Sequence, residues 1–200
     1  MSKGRLIIFS APSGCGKGTV SEAVCKDERF VVSVSATTRS PREGEIDGVH
    51  YHFITREAFE KKIEIGEMLE YAQYCDNYYG SPADMIEKNL NAGKNVILEI
   101  EVQGALQIMQ KCPDAVSIFM VPPSIAELER RLRKRGTETD DVIAKRIARA
   151  KEEIPFSKHY QYVIVNDALE DAVADFKAVV RAEEQKYENM KDMIGALISC

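Results

Sequence analysis

The run Ser10 to Thr19, SAPSGCGKGT, brings three glycines, a lysine and two hydroxyl side chains beyond Ser10 into one short stretch. Gly14, Gly16 and Gly18 let successive backbone N–H groups converge on one anion. Lys17 adds a charge able to follow a phosphoryl group in transfer. The stretch follows an apolar, strand-like segment, Arg5 to Phe9, and leads into a helical one. In that setting the positive N-terminal end of the helix joins the anion cradle. The strict pattern of such loops is G-x-x-x-x-G-K-[S/T]; here Ala11 stands at the first glycine and Gly18 directly follows the lysine. Thr19 is therefore the nearest hydroxyl for Mg²⁺. The residues read as a nucleotide-phosphate loop are Ala11, Pro12, Ser13, Gly14, Cys15, Gly16, Lys17, Gly18 and Thr19.

Phosphoryl transfer also needs a metal, a second substrate held in line and positive charge on the transferred oxygens. The apolar run VILEIE ends in Glu99 and Glu101, where a metal-binding carboxylate emerges from the carboxyl edge of a parallel sheet. Glu99 suits Mg²⁺ held through water, and ordinary alternation on an edge strand is the competing reading. In SATTRSPR, Arg39 and Arg42 offer guanidinium forks that match phosphate oxygens. Nine of the 27 cations fall between Arg130 and Lys151, a basic segment in a chain of net charge −5. Part of it, including Arg130, Arg133, Lys134 and Lys151, reads as solvated helix surface.

The elements that must position these groups follow a simple rhythm. Short β-rich runs RLIIFS, VVSVSA, VILEIE, VSIFMV and YVIVN alternate with helical ones, as in crossover units on a parallel sheet. Ser124 and Glu127 form a capping box ahead of LERRLRKR, and Gly136 is placed to stop that helix. Thr139 with Asp140 and Asp141 suits the start of the next. The interval from Arg39 to Gly93 breaks the rhythm with a polar loop, short strands YHFI and MLEYAQY, and helices over Thr55 to Glu64 and Pro82 to Asn91. It reads as an inserted subdomain. The last residues, Asn189 to Cys200, continue as a helix or fray.

Two hundred residues, 44% hydrophobic, suffice for one core with small inserted pieces. No apolar run approaches the roughly 20 residues that span a bilayer, and the N-terminal apolar run ends in the glycine-rich loop rather than a cleavage site. A cytoplasmic location is expected. Five cysteines without a C-x-x-C pair argue against a disulfide framework or zinc site. The acidic balance offers no reason to expect nucleic acid or acidic lipid as a partner.

The ordered motifs SAPSGCGKGT, SATTRSPREGEIDGVHY, EYAQYCDNYYGS, EIEVQG, RRLRKRGTET and VND resemble those of guanylate kinases, over roughly Gly4 to Tyr187. The resemblance implies an α/β fold: a P-loop-type parallel sheet flanked by helices, an inserted α+β GMP-binding subdomain and a helical lid. In this single-domain reading the core is 1–38, 94–123 and 153–200, the GMP-binding subdomain 39–93 and the lid 124–152. It implies transfer of the γ-phosphoryl group of ATP to GMP, and to its deoxy form, with Mg²⁺ as cofactor. Arg39, Arg42, Tyr51 and Tyr79 correspond to residues on the GMP phosphate, while Ser35, Glu70 and Ser81 face the guanine with Glu101 close by. The loop residues and Asn166 correspond to the ATP site. Lys17, Arg131, Arg135 and Arg146 correspond to the charges around the transferring group, and Thr19 and Glu99 to the metal position. Glu99 and Glu101 stand where aspartate is frequent in the family, one methylene longer each.

The chemistry of guanine supports this assignment independently. Its N1–H and 2-amino groups are donors, which a carboxylate such as Glu70 accepts, whereas adenine presents the opposite pattern. Other readings stand beside it: Tyr51 and Tyr79 as packing residues, Ser81 as a helix N-cap before Pro82, Glu70 as a solvent-facing strand residue, Asn166 as a strand-ending turn residue. A kinase of another nucleoside monophosphate, or a non-catalytic module of the same shape that binds phosphorylated partners, remains open. So does a homo-oligomer, since an apolar stripe on the terminal helix fits either the core or a second subunit.

Overall fold

The structure, a computed structural model, describes residues 3–74, 76–136 and 139–198, without the side chains of Tyr74 and Arg135. In chain order its first elements are β1 (Leu6–Ser10), α1 (Lys17–Val24), β2 (Phe30–Val32), β3 (Ala36–Thr37), β4 (His52–Phe53) and α2 (Arg56–Glu64). Then come β5 (Met68–Tyr74), β6 (Asn77–Pro82), α3 (Ala83–Asn91), β7 (Asn95–Glu99), α4 (Val102–Lys111) and β8 (Val116–Val121). The last are α5 (Ile125–Arg135), α6 (Asp140–Glu153), a 3-10 helix (Ile154–His159), β9 (Tyr162–Val165), α7 (Leu169–Glu184) and α8 (Tyr187–Ile198). The chain forms two compact units, Met1–Ser10 with Asp27–Ala115, and Ala11–Lys26 with Val116–Cys200.

In the first unit β2, β7 and β1 lie parallel, with Leu6 opposite Val96 and Phe30 opposite Asn95. Ile7, Ile8, Phe9, Val96 and Ile97 are fully buried, as expected where a parallel sheet is covered on both faces. A second sheet has the order β4-β3-β6-β5, with β3 and β4 parallel and the other pairs antiparallel. Its small core is Ala36, Phe59 and Met68, capped by Tyr78, whose ring stacks on Phe59 at 5.2 Å. Thr55 caps α2 by accepting the Ala58 N–H, as the sequence predicts for a helix over this stretch.

Two expectations are corrected here. The run Val31 to Ala36 is not one strand of the parallel sheet: Val31 and Val32 pair with β7, whereas Ala36 pairs with His52 and Gly80 in the second sheet. Alternation along six residues carries no information about which partner each half meets. The interval from Arg39 to Gly93 also holds more strand than YHFI and MLEYAQY: Tyr78–Ser81 is the middle of β6, paired with β5 from Asn77 to Pro82.

In the second unit β8 and β9 are parallel, with Ile118 opposite Tyr162. Helix α1 packs on α7, and α5 on α6. Ser124 caps α5 by accepting the Glu127 N–H, and Gly136 ends it in the left-handed region at φ 65. Only half of the capping box forms, because the Glu127 carboxylate turns to Arg130 and Arg131 instead. The charged partners are the stronger donors. The tail continues as α8, with Leu197 and Ile198 exposed. Among the described residues no helix is long and apolar enough to cross a membrane.

Candidate active site

The glycine-rich loop lies in the second unit and runs directly into α1. Gly14 and Gly16 adopt φ of 91 and 88, values that favour glycine. A side chain at Gly14 would meet Leu132 Cδ2 at 2.7 Å, and one at Gly16 would meet Asn166 Nδ2 at 2.9 Å. So α5 and the end of β9 press on the loop at the two places that have no side chain. Helix α1 begins at Lys17 with no side-chain cap and no acid in its first turn, which leaves its positive end available to an anion. Lys17 is half-buried, and Gly18 and Thr19 are exposed.

Asn166 is buried just past β9, and its Nδ2 donates to the Cys15 carbonyl at 2.7 Å. Its own backbone carbonyl accepts Arg131 Nη1 at 2.7 Å, while Arg131 Nη2 donates to the Asp167 carbonyl at 2.9 Å and Nε to Glu127 at 2.7 Å. One chain of hydrogen bonds thus links loop, strand end and α5. Glu127, bonded to both Arg130 and Arg131, has its pKa lowered to about 2. Burial pushes the Cys15 thiol up to about 12, with Arg131 opposing the shift, so Cys15 is a small packing residue and no nucleophile at neutral pH. Arg146 is half-buried on α6, and the side chain of Arg135 lies outside the described residues.

This network makes a prediction. Asn166→Ala leaves the buried Cys15 carbonyl without its donor, at a cost of about 1–3 kcal/mol. At about 2–4 °C per kcal/mol for a chain of this size, a thermal melt should fall by several degrees, and added ATP should restore less than in the parent. An unchanged melt and unchanged ATP response would show that the amide does not hold the loop.

The first unit gathers the other set of predicted residues. Arg39 lies with its guanidinium carbon 5.6 Å from the Tyr51 ring centroid and 5.7 Å from that of Phe53. Tyr51 and Tyr79 meet edge to face at 6.0 Å. Arg42 is exposed on the following loop. Along the same sheet, Glu70 is buried on β5 and Ser81 on β6, and Ser81 Oγ donates to Glu70 Oε1 at 2.8 Å. The N-cap of α3 is Pro82, with no side-chain bond, so the Ser81 hydroxyl is used for the carboxylate and not for the helix. Burial raises the Glu70 pKa, opposed by the Ser81 bond and the Lys111 charge. Ser35 is half-buried just before β3, and its carbonyl accepts the His52 N–H at 2.8 Å. Glu99 ends β7, and Glu101 is the exposed N-cap residue of α4. Thr19 and Glu99 belong to different units.

Two participants escaped the sequence reading. Gly104 sits inside α4, where glycine costs roughly 1 kcal/mol against alanine. A side chain there would meet Ile100 Cδ1 at 2.6 Å and Glu70 Oε2 at 3.2 Å, so its absence leaves room for that carboxylate. An interior helix glycine was the available signal. Glu45 is the other: its Oε2 and Oε1 accept Arg39 Nη1 at 2.8 Å and Nη2 at 2.9 Å. An acid in a polar loop close behind two arginines hinted at it, without saying which arginine it meets.

A family model described as guanylate kinase matches residues 3–183. The chain belongs to the guanylate kinase family. A protein of Halalkalibacterium halodurans named guanylate kinase is 51% identical over 197 residues, covering 98% of this chain and 97% of its own length. A Streptococcus mutans protein of the same name is 52% identical, covering 94% of this chain and 90% of its own. The crystal structure of guanylate kinase from Anaplasma phagocytophilum superposes with a TM-score of 0.71 at 36% identity, covering 92% of this chain and 88% of that one. As in that family, the fold is α/β, a P-loop-type parallel sheet flanked by helices. In this guanylate kinase family member the loop with Asn166 and Arg131 forms one cluster, and in the first unit Tyr79 and the Glu70–Ser81 pair share the strands β5 and β6, with Tyr51 and Arg39 packed beside Tyr79.

Proposed function

We propose that this enzyme, a nucleoside monophosphate kinase, transfers the γ-phosphoryl group of ATP to GMP, forming ADP and GDP in purine nucleotide metabolism. The observation that carries the reading is the second sheet, where a buried carboxylate with a hydroxyl partner lies on the strand pair that carries Tyr79, whose ring meets Tyr51 and, over Tyr51, the Arg39 guanidinium. One end of that sheet suits a base with two adjacent donors, the other a phosphate monoester. Glu70, ionised, accepts N1–H and the 2-amino group of guanine, with Ser35, Ser81 and Glu101 around the base. Arg39, Arg42, Tyr51 and Tyr79 hold its phosphate, and dGMP, which differs only at the sugar, is accepted as well.

The donor site is the loop Ala11 to Thr19 with Asn166. Its N–H groups and Lys17 take the β- and γ-phosphates of ATP. Thr19 and Glu99 offer the hard oxygen donors that Mg²⁺ prefers, Glu99 through water, and the ion would supply charge neutralisation on the phosphate oxygens. A GMP phosphate oxygen attacks the γ-phosphorus in line, with no covalent intermediate on the enzyme. Lys17 and the lid arginines Arg131, Arg135 and Arg146 stabilise the charge spread over the transferring oxygens. To do so, Arg131 exchanges its carbonyl contacts for phosphate oxygens, the stronger acceptors. Soluble nucleotide substrates support a cytoplasmic location.

A coupled assay of ADP release with ATP, Mg²⁺ and each of GMP, AMP, CMP and UMP tests the reading. Turnover is expected with GMP alone. Comparable turnover with another monophosphate would remove Glu70 from base reading, and silence with all four from folded protein would favour a binding module.

A further inference from the structure

The Arg39–Glu45 pair carries more than the reading above requires. A guanidinium has five N–H donors in a fixed plane. Nη1 of Arg39 uses both of its own, one on Glu45 Oε2 at 2.8 Å and one on the Ser40 carbonyl at 2.8 Å. Nη2 uses one on Glu45 Oε1 at 2.9 Å. The remaining two, on Nε and Nη2, form the other edge of the plane, a pair that matches two oxygens of a phosphate, and the Tyr79 hydroxyl bonds the same guanidinium. The aromatic faces of Tyr51 and Phe53 fix the plane itself. Glu45 reaches further: its Oε2 accepts the Arg42 N–H at 2.7 Å, while the Glu45 N–H donates to the Arg42 carbonyl at 3.0 Å. The same carboxylate therefore orients one arginine and shapes the backbone that carries the other.

We propose that Glu45 is a positioning residue of the acceptor site, holding the end of the Arg39 fork and the Arg42 backbone so that the Nε–Nη2 edge of Arg39 faces a phosphate monoester. The proposal rests on the acceptor reading given above. A carboxylate beside a phosphate site would otherwise act as a rival anion, and the two roles differ in sign. A positioning acid strengthens phosphate binding despite its charge, because it spends the donors that the phosphate does not need. A rival acid weakens binding by filling the donors that the phosphate does need.

Glu45→Ala and Glu45→Gln in the full chain decide between them. For Glu45→Ala the KM for GMP should rise about 10- to 100-fold, the loss of one or two charge-assisted hydrogen bonds at the phosphate, and by more than kcat changes. Glu45→Gln should fall between, since one oxygen remains for the fork. The KM for ATP should stay within about 2-fold, and so should the inhibition constant of guanosine, which has the base but no phosphate. A KM for GMP that is unchanged or lower in both variants would overturn the positioning role, as would an equal weakening of guanosine and GMP, which marks general damage to the sheet. If the parent protein shows no GMP turnover, the functional reading has failed. Glu45 is then scored by calorimetry with GMP and guanosine, where loss confined to GMP supports it and any other result, including no binding of GMP by the parent, overturns it.

Discussion

Replacing Lys17 by alanine should lower kcat about 10²- to 10³-fold, some 2.7–4 kcal/mol of transition-state stabilisation, the scale seen when one preorganised donor is removed from a site of developing charge. Lys17 is the first residue of α1, half-buried, at the uncapped end where the helix is positive. Backbone N–H groups of the loop bind donor phosphates in ground and transition states alike. A lysine ammonium on a flexible stem follows the γ-phosphoryl group as it moves, so its loss falls on kcat more than on the KM for ATP. The fold should be unaffected, because alanine is a better helix former than lysine and Lys17 is not part of the buried core. Steady-state kinetics beside a thermal melt checks this. A folded variant with undiminished kcat would remove Lys17 from the chemistry.

The second large effect is expected at Glu70. Glu70→Gln keeps the volume and an acceptor for Ser81 but turns one oxygen into a donor that faces a donor on guanine. The kcat/KM for GMP should fall about 10²- to 10³-fold, since a charged acceptor is lost and a buried donor is left unpaired. Stability should hold or improve at neutral pH. Burial raises the Glu70 pKa in the folded state, so the contribution is fully favourable below the unfolded pKa and is lost as pH rises through the folded one. The neutral amide escapes that loss. The same shift predicts a pH dependence for guanosine, whose binding does not involve phosphate ionisation. Its affinity should weaken on acidification through a pKa above the ordinary carboxylate value of 4.5, and Glu70→Gln should abolish that limb. Glu45 cannot be its origin, because bonds from Arg39 and Arg42 lower its pKa to about 2. A limb that survives in Glu70→Gln would assign the titration elsewhere.

Much of this site was legible in the chain because its determinants are local. Glycines at positive φ, a lysine at a helix start and a capping serine at Ser124 each act through neighbours a few residues away. The apolar runs of β1, β7 and β8 announce strands covered on both faces, and of the residues predicted to meet GMP, Glu70, Tyr79 and Ser81 lie on the neighbouring strands β5 and β6. The resemblance in ordered motifs placed those residues in the right family before any geometry was known.

What folding decided was the outcome of competitions among distant partners. Ser81 had a helix to cap beside it and a carboxylate eleven residues away, and the carboxylate won, since a buried charge costs more unpaired than a helix N-terminus open to water. Val31–Ala36 is uniform in pattern yet divides between two sheets according to the strands it meets. Asn166 reaches Cys15 across 151 positions, and Glu45 chooses Arg39 as its charged partner while bonding only the backbone of Arg42. The sequence alone determined which chemical groups this protein carries and the local backbone shapes that present them. Which hydrogen bond each group makes was decided only by the tertiary structure, because the choice depends on the burial and positions of partners that local spacing does not encode.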